Sequence, residues 1–131
     1  MSPAEELSIV VSEQHTVSAL LVRPPDAWAM YVLAHGAGAG MRHAFLETTA
    51  ELLAAAGVAT LRYQFPYVEA GGRRPDPPAV LEATVREACA RAAQEALPLF
   101  AGGKSMGGRM TSQAQAAEAM PDVRGLVFLG F

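Results

Sequence analysis

Met30-Tyr31-Val32-Leu33-Ala34 is an unbroken apolar run that ends on His35-Gly36-Ala37-Gly38-Ala39-Gly40, and no other feature restricts the fold as strongly. With no polar residue in alternation, such a run has no face to offer water, so it reads as a strand buried on both faces. The glycine-rich stretch after it can continue neither strand nor helix. Phe45, Thr49, Leu52, Leu53 and Ala56 then recur at helical spacing and predict an amphipathic helix closed by Gly57. No good N-cap residue precedes it. Val58 to Phe65 returns to strand character. A strand–helix–strand unit of this kind requires a parallel pair and a right-handed crossover.

The remaining chain extends the pattern. Leu7 to Val11 and Thr16 to Val22 predict an antiparallel hairpin around Ser12-Glu13-Gln14-His15, ended by Arg23-Pro24-Pro25-Asp26. Pro66 to Pro78 holds four prolines and two glycines and predicts an ordered loop. A second helix is expected from about Ala79 to Ala96, with Leu81, Val85, Ala88, Ala92 and Ala96 on one face. Leu97 to Ala101 predicts a short strand, and Gly108 to Met120 a third helix stopped by Pro121. Gly125 to Phe131 predicts a last strand of buried type. The fold class is therefore α/β, a mostly parallel sheet with helices on both faces. A last strand so apolar would be an unprotected sheet edge, so residues 1–131 are expected to form one partial domain, its N-terminal portion.

Composition removes several functions. The net charge of −3 comes with no basic run, which argues against a nucleic-acid partner. One cysteine, Cys89, excludes an internal disulfide and fits a reducing compartment. The start, MSPAEELS, lacks a basic then apolar leader, and no apolar stretch approaches the ~20 residues of a membrane span. The expectation is a cytoplasmic protein without membrane contact. No His/Cys/Asp cluster has metal-ligand spacing, so neither metal nor cofactor is predicted.

Gly102-Gly103-Lys104-Ser105-Met106-Gly107-Gly108 carries the chemistry. Gly103-x-Ser105-x-Gly107 lies between a predicted strand and a predicted helix, the setting of a nucleophile elbow. Side chains two residues before or after the serine would collide with strand or helix at so sharp a turn. The turn lifts the hydroxyl above the carboxyl end of the sheet, with a helix N-terminus behind it. His35-Gly36-Ala37-Gly38 follows a buried strand and precedes a helix, the setting of an oxyanion loop. The backbone N–H groups of Ala37 and Met106 are the candidate oxyanion donors. His35, Gly36, Gly103 and Gly107 are the candidate supporting residues.

Two rival readings of these glycines fail. A phosphate-binding G-x-x-x-x-G-K-[ST] loop ending at Ser105 would need glycine at Pro98. A dinucleotide G-x-G-x-x-G from Gly36 meets Met41 instead of glycine. Arg62 and Tyr63 also stand where an acid for the ribose is expected.

The strings His35 to Met41, Leu61-Arg62-Tyr63-Gln64-Phe65-Pro66-Tyr67 and Gly102 to Met110 resemble a group of small α/β-hydrolase-like proteins related to dienelactone hydrolases. They are also similar to the hydrolase-like domain shared by an animal testis-expressed protein and a subunit of a histone-acetyltransferase complex. The resemblance covers about Val17 to Phe131. It implies an α/β-hydrolase sheet of the eight-stranded type and a serine nucleophile at Ser105. Some members of the group act as scaffolds, so no substrate is implied.

In that fold the triad runs serine, acid, histidine along the chain. After Ser105 this sequence has Glu118 and Asp122 and no histidine. A serine without a hydrogen-bonded base is a poor nucleophile, so residues 1–131 are expected to be a hydrolase fragment inactive alone. Two functions remain: a serine hydrolase for a small ester-like substrate, and a non-catalytic module binding a partner through its sheet edge or pocket. Blander expectations cover the rest. His35 supports its loop through side-chain hydrogen bonds, while His43 and His15 are solvated. Lys104 packs or pairs beside the elbow, and Cys89, Met106 and Met110 pack in the core. Arg73, Arg74 and Asp76 are loop charges.

Overall fold

A computed structural model describes residues 2–131. The strands are β1 (Glu5–Val10), β2 (Thr16–Val22), β3 (Ala29–Ala34), β4 (Val58–Tyr63), β5 (Leu99–Gly103) and β6 (Val123–Phe128). The helices are α1 (Ala44–Ala55), α2 (Pro66–Glu69), α3 (Pro78–Ala93) and α4 (Met106–Ala117). One sheet of order β1-β2-β4-β3-β5-β6 contains all six strands. β1 and β2 are antiparallel, β2 joins β4 antiparallel, and β4, β3, β5 and β6 run parallel. The α/β reading and the parallel strand–helix–strand unit are both present.

Every residue of β3 is buried, as a doubly covered strand requires. Alternation along it sends Met30, Val32 and Ala34 to one face, against Leu81, Val85, Ala88 and Ala92 of α3 and Met106, Met110 and Ala114 of α4. Tyr31 and Leu33 point the other way, onto Leu46 of α1. The sheet is thus covered on both faces, by α3 and α4 on one and by α1 on the other.

Four local expectations change. The buried stripe of α1 is Leu46 and Ala50, with Leu53 half-buried, whereas Phe45 and Leu52 are exposed. One residue is a 100° rotation, and a helix rich in Ala, Thr and Leu offers two plausible stripes. The helix also has a cap: the His43 ring accepts from the Phe45 N–H at 3.2 Å. The proline-rich loop opens with the short helix α2, started by Pro66 at its first position. α4 begins at Met106, earlier than expected, because β5 runs on through both glycines to Gly103.

β6 is an edge strand of the described sheet, as its apolar sequence at this place leads us to expect. It pairs with β5 alone, and Val127 and Phe128 are exposed. Among the described residues no helix is long and apolar enough to cross a membrane.

Cys89 lies on the buried face of α3, and burial pushes its thiol up to about 12. The thiolate is the reactive form. We expect no reaction with a disulfide reagent at pH 8 in the folded protein and one equivalent after denaturation. Rapid labelling of the native protein would contradict this packing.

Candidate active site

β5 ends and α4 begins around one residue. Ser105 adopts φ +53° and ψ −115°, a conformation that strains any residue other than glycine. The backbone on either side lies flat against β3. A Cβ on Gly103, itself at φ +145°, would overlap the Ala34 backbone, and one on Gly107 would come within 2.6 Å of the His35 carbonyl oxygen. Only glycine permits both approaches. The turn is pinned by backbone bonds: Lys104 N–H donates to Ala34 at 3.0 Å, and Ser105 N–H to Gly130 at 3.0 Å.

The glycine-rich loop passes directly in front of this serine. A Cβ on Gly36 would stand 3.8 Å from the Ser105 Cβ. The loop is held mostly by residues following β4. His35 is fully buried; its Nε2 accepts from the Phe65 N–H at 3.1 Å, and its Nδ1 lies 2.7 Å from the Gly36 carbonyl. An amide can only donate, so Nε2 carries no proton and Nδ1 donates to Gly36, which fixes the neutral tautomer. The Gln64 side-chain oxygen accepts from Met41 N–H at 2.7 Å, and Arg62 donates to the Met41 carbonyl at 3.2 Å. The Tyr67 hydroxyl accepts from Gly38 N–H at 3.1 Å. Tyr67 is itself fixed by Asp76, whose carboxylate accepts from its N–H at 2.9 Å.

Among the described residues, the N–H groups of Ala37 and Met106 have neither a backbone nor a side-chain acceptor. Ala37 is exposed on the loop, and Met106 opens α4, where the first amides have no partner within the helix. The structure therefore brings His35, Gly36, Gly103, Ser105 and Gly107 together, with the unpaired Met106 amide next to the serine in sequence and that of Ala37 on the loop, next to Gly36.

It does not bring a base to Ser105. Its only side-chain partner among the described residues is Arg109, whose Nη1 lies 3.5 Å from Oγ. His43 caps α1, and both ring nitrogens of His35 are engaged. Lys104 turns its ammonium over the Phe45 ring, 5.1 Å from the centroid. Among the described residues no group of three or more His, Cys, Asp or Glu could hold a metal.

Sequence reasoning gave no role to Gln64, Tyr67 or Arg109 and took Asp76 for a loop charge. Their partners lie in other elements, so no local spacing marks them. Only Arg109 had a local signal, standing one helical turn after Ser105.

Burial drives the His35 imidazole below its ordinary 6.5, against an opposing contribution from the Gly36 contact. The unfolded chain therefore takes up a proton at this position before the native one does. Stability should be level above about pH 6.5 and fall as the pH drops below it. Urea midpoints at pH 7.5, 6.0 and 5.0 measure this. A His35→Gln variant should be less stable throughout and show a shallower loss below pH 6.5; an unchanged pH profile would refute the assignment.

Comparison with known proteins follows the geometry. The pattern of an alpha/beta hydrolase domain matches residues 27–131. The structure is similar to a dienelactone hydrolase from Anabaena variabilis, at 23% identity and a TM-score of 0.83, over 98% of this chain and 64% of that one. It is similar to an α/β serine hydrolase without a lid from Xanthomonas campestris, at 17% identity and a TM-score of 0.78, over 98% of this chain and 61% of the other. It is also similar to Est1E from Butyrivibrio proteoclasticus, solved with ferulic acid bound, at 21% identity and a TM-score of 0.75, over 92% and 50%. The chain thus spans less than two thirds of each of these structures. No curated protein matches it by sequence.

Proposed function

This chain belongs to the alpha/beta hydrolase domain family, and from that premise we propose that it is the serine-bearing part of a hydrolase acting on small ester-like substrates. The observation that carries the reading is Ser105 held at φ +53° between β5 and α4, with the unpaired amides of Ala37 and Met106 beside it. Ser105 Oγ attacks the ester carbonyl carbon while a base takes its proton. The carbonyl oxygen becomes an oxyanion between the Ala37 and Met106 N–H groups, and the N-terminus of α4 favours the same charge. Collapse of the tetrahedral intermediate expels the alcohol, and water then releases the acid from Ser105. One such amide donor is worth about 3–4 kcal/mol of barrier. His35, Gly36, Gly103 and Gly107 hold this arrangement without touching substrate.

The base and its acid are proposed to come from outside these 131 residues, which we read as one partial domain. Supporting this, no histidine follows Ser105, and His35 and His43 are committed elsewhere. Similarity to a dienelactone hydrolase and to a structure holding ferulic acid supports a small-molecule substrate.

A second reading has its own observation. No imidazole or carboxylate among the described residues bonds Ser105 Oγ, and Val127 and Phe128 stand exposed along β6. A hydrolase-like module that binds a partner along that edge would look the same.

Intact mass after exposure to a fluorophosphonate separates the two. The protein at its natural length should gain one adduct, mapped to Ser105, and Ser105→Ala should gain none. A folded, natural-length protein that takes up no probe would favour the binding module.

A further inference from the structure

We propose that Tyr67, seated by Asp76, is a positioning residue of the oxyanion loop, holding the peptide after Ala37 one way round so that Ser105 turns over. The inference rests on Ser105 being the nucleophile and the Ala37 amide an oxyanion donor. It extends the working parts of the site to the segment between β4 and α3.

The Ala37 amide lies in a turn with almost no side chains to fix it. Ala39 N–H donates to the Gly36 carbonyl at 3.1 Å, closing a four-residue turn from Gly36 to Ala39. Gly38, in third place, has φ +73°, and Ala37 is not one of the described non-glycine residues at positive φ. That combination is a type II turn. Its first peptide is secured through the Gly36 carbonyl, which also faces His35 Nδ1 at 2.7 Å. In a trans peptide the N–H points opposite to the carbonyl, so these bonds aim the Ala37 N–H away from His35.

The second peptide, Ala37–Gly38, has less support. Turns of types I and II share their ends and differ by turning this peptide over, which swings the Ala37 ψ by about 150°. Glycine at position 38 admits either state. Among the described residues one hydrogen bond holds the peptide as found, from Gly38 N–H to the Tyr67 hydroxyl at 3.1 Å. Turned over, it would reverse a peptide dipole directly beside the Ala37 amide. The loss would fall on the transition state, where the ester oxygen is charged, more than on the neutral ester as it binds.

Tyr67 is well seated for this task. It is buried, with its ring edge-on to His35 at 6.3 Å between centroids. α2 starts at Pro66, and its N-cap, Phe65, makes no side-chain bond to it. Asp76 supplies the acceptor from the far side of the loop, taking the Tyr67 N–H at 2.9 Å. At the other end of α2, Glu69 holds the Ser18 amide and hydroxyl.

The test uses the protein at its natural length, with p-nitrophenyl acetate as substrate. Fluorophosphonate labelling of Ser105, taken to completion, counts the competent sites. Tyr67→Phe keeps the ring and removes only the hydroxyl. It should lower kcat per labelled site about fivefold, the effect of one net hydrogen bond, and leave KM nearly unchanged. Asp76→Ala should act likewise, while Asp76→Asn, which keeps an oxygen acceptor, should restore most of the rate. Adding Tyr67→Phe to Asp76→Ala should then lower kcat little further, because both act through one bond. Thermal melts check that each variant folds. A merely structural role would reduce the labelled fraction and leave the rate per site unchanged. That result, or a raised KM at constant kcat, overturns the proposal and leaves the hydrolase reading standing. No turnover and no adduct in the unsubstituted protein removes both.

Discussion

The contact on which the site depends is backbone against backbone, where Gly103 and Gly107 meet Ala34 and His35. Strand β5 must pair with β3 up to its last residue, and α4 must start at once on the same side. Any side chain at either glycine would push the elbow away from β3. The glycine-rich loop would then no longer pass in front of Ser105. The strain at Ser105 follows from the same geometry. A non-glycine residue at positive φ costs about 1–3 kcal/mol and survives only where its surroundings over-determine it. Here they do so through the Lys104–Ala34 and Ser105–Gly130 bonds and the burial of Met106 and Met110 on the inner face of α4.

A second layer of order is polar and comes from β4 and the turn after it. Arg62, Gln64, Phe65 and Tyr67 follow one another closely in sequence, and each bonds a different point of the loop that leaves β3. β4 is the parallel neighbour of β3, so the chain leaving β4 emerges beside the loop it must hold. Each bond contributes only about 1 kcal/mol net, but an unmet buried amide would cost about 1–3. The ties extend outward. Asp76 fixes Tyr67, and Glu69 grips the Ser18 amide and hydroxyl at 2.8 and 2.9 Å, anchoring α2 to β2.

The legible parts of this molecule in sequence were those with a backbone reason. Five apolar residues in a row place β3 inside a sheet, and glycine before and after Ser105 marks a turn too tight for side chains. The illegible parts depend on distant partners. Nothing near Asp76 says that it serves Tyr67, and nothing near His43 says that its ring replaces the usual oxygen at a helix N-terminus. The stripe of α1 was misread because Phe45 and Leu46 are equally apolar, and only the sheet decides which one turns inward. β6 was legible as an apolar strand, and it pairs with β5 on one side as the expected sheet edge.

Backbone groups and charge divide the work at Ser105. The free amides of Ala37 and Met106 depend on chain path and not on side-chain identity. The residues around them can therefore be small, as Gly36, Ala37 and Gly38 are. Such a site is generic: it would receive any carbonyl oxygen of the right reach. On the proposed reading, discrimination would come from side chains set near the serine, where Lys104 and Arg109 lie. The exposed face of α1 and the edge strand β6 present apolar groups instead, Phe45 on one and Val127 and Phe128 on the other. If Ser105 is the nucleophile we propose, the side chains near it, and not the backbone amides, are where selectivity among acyl groups would be set.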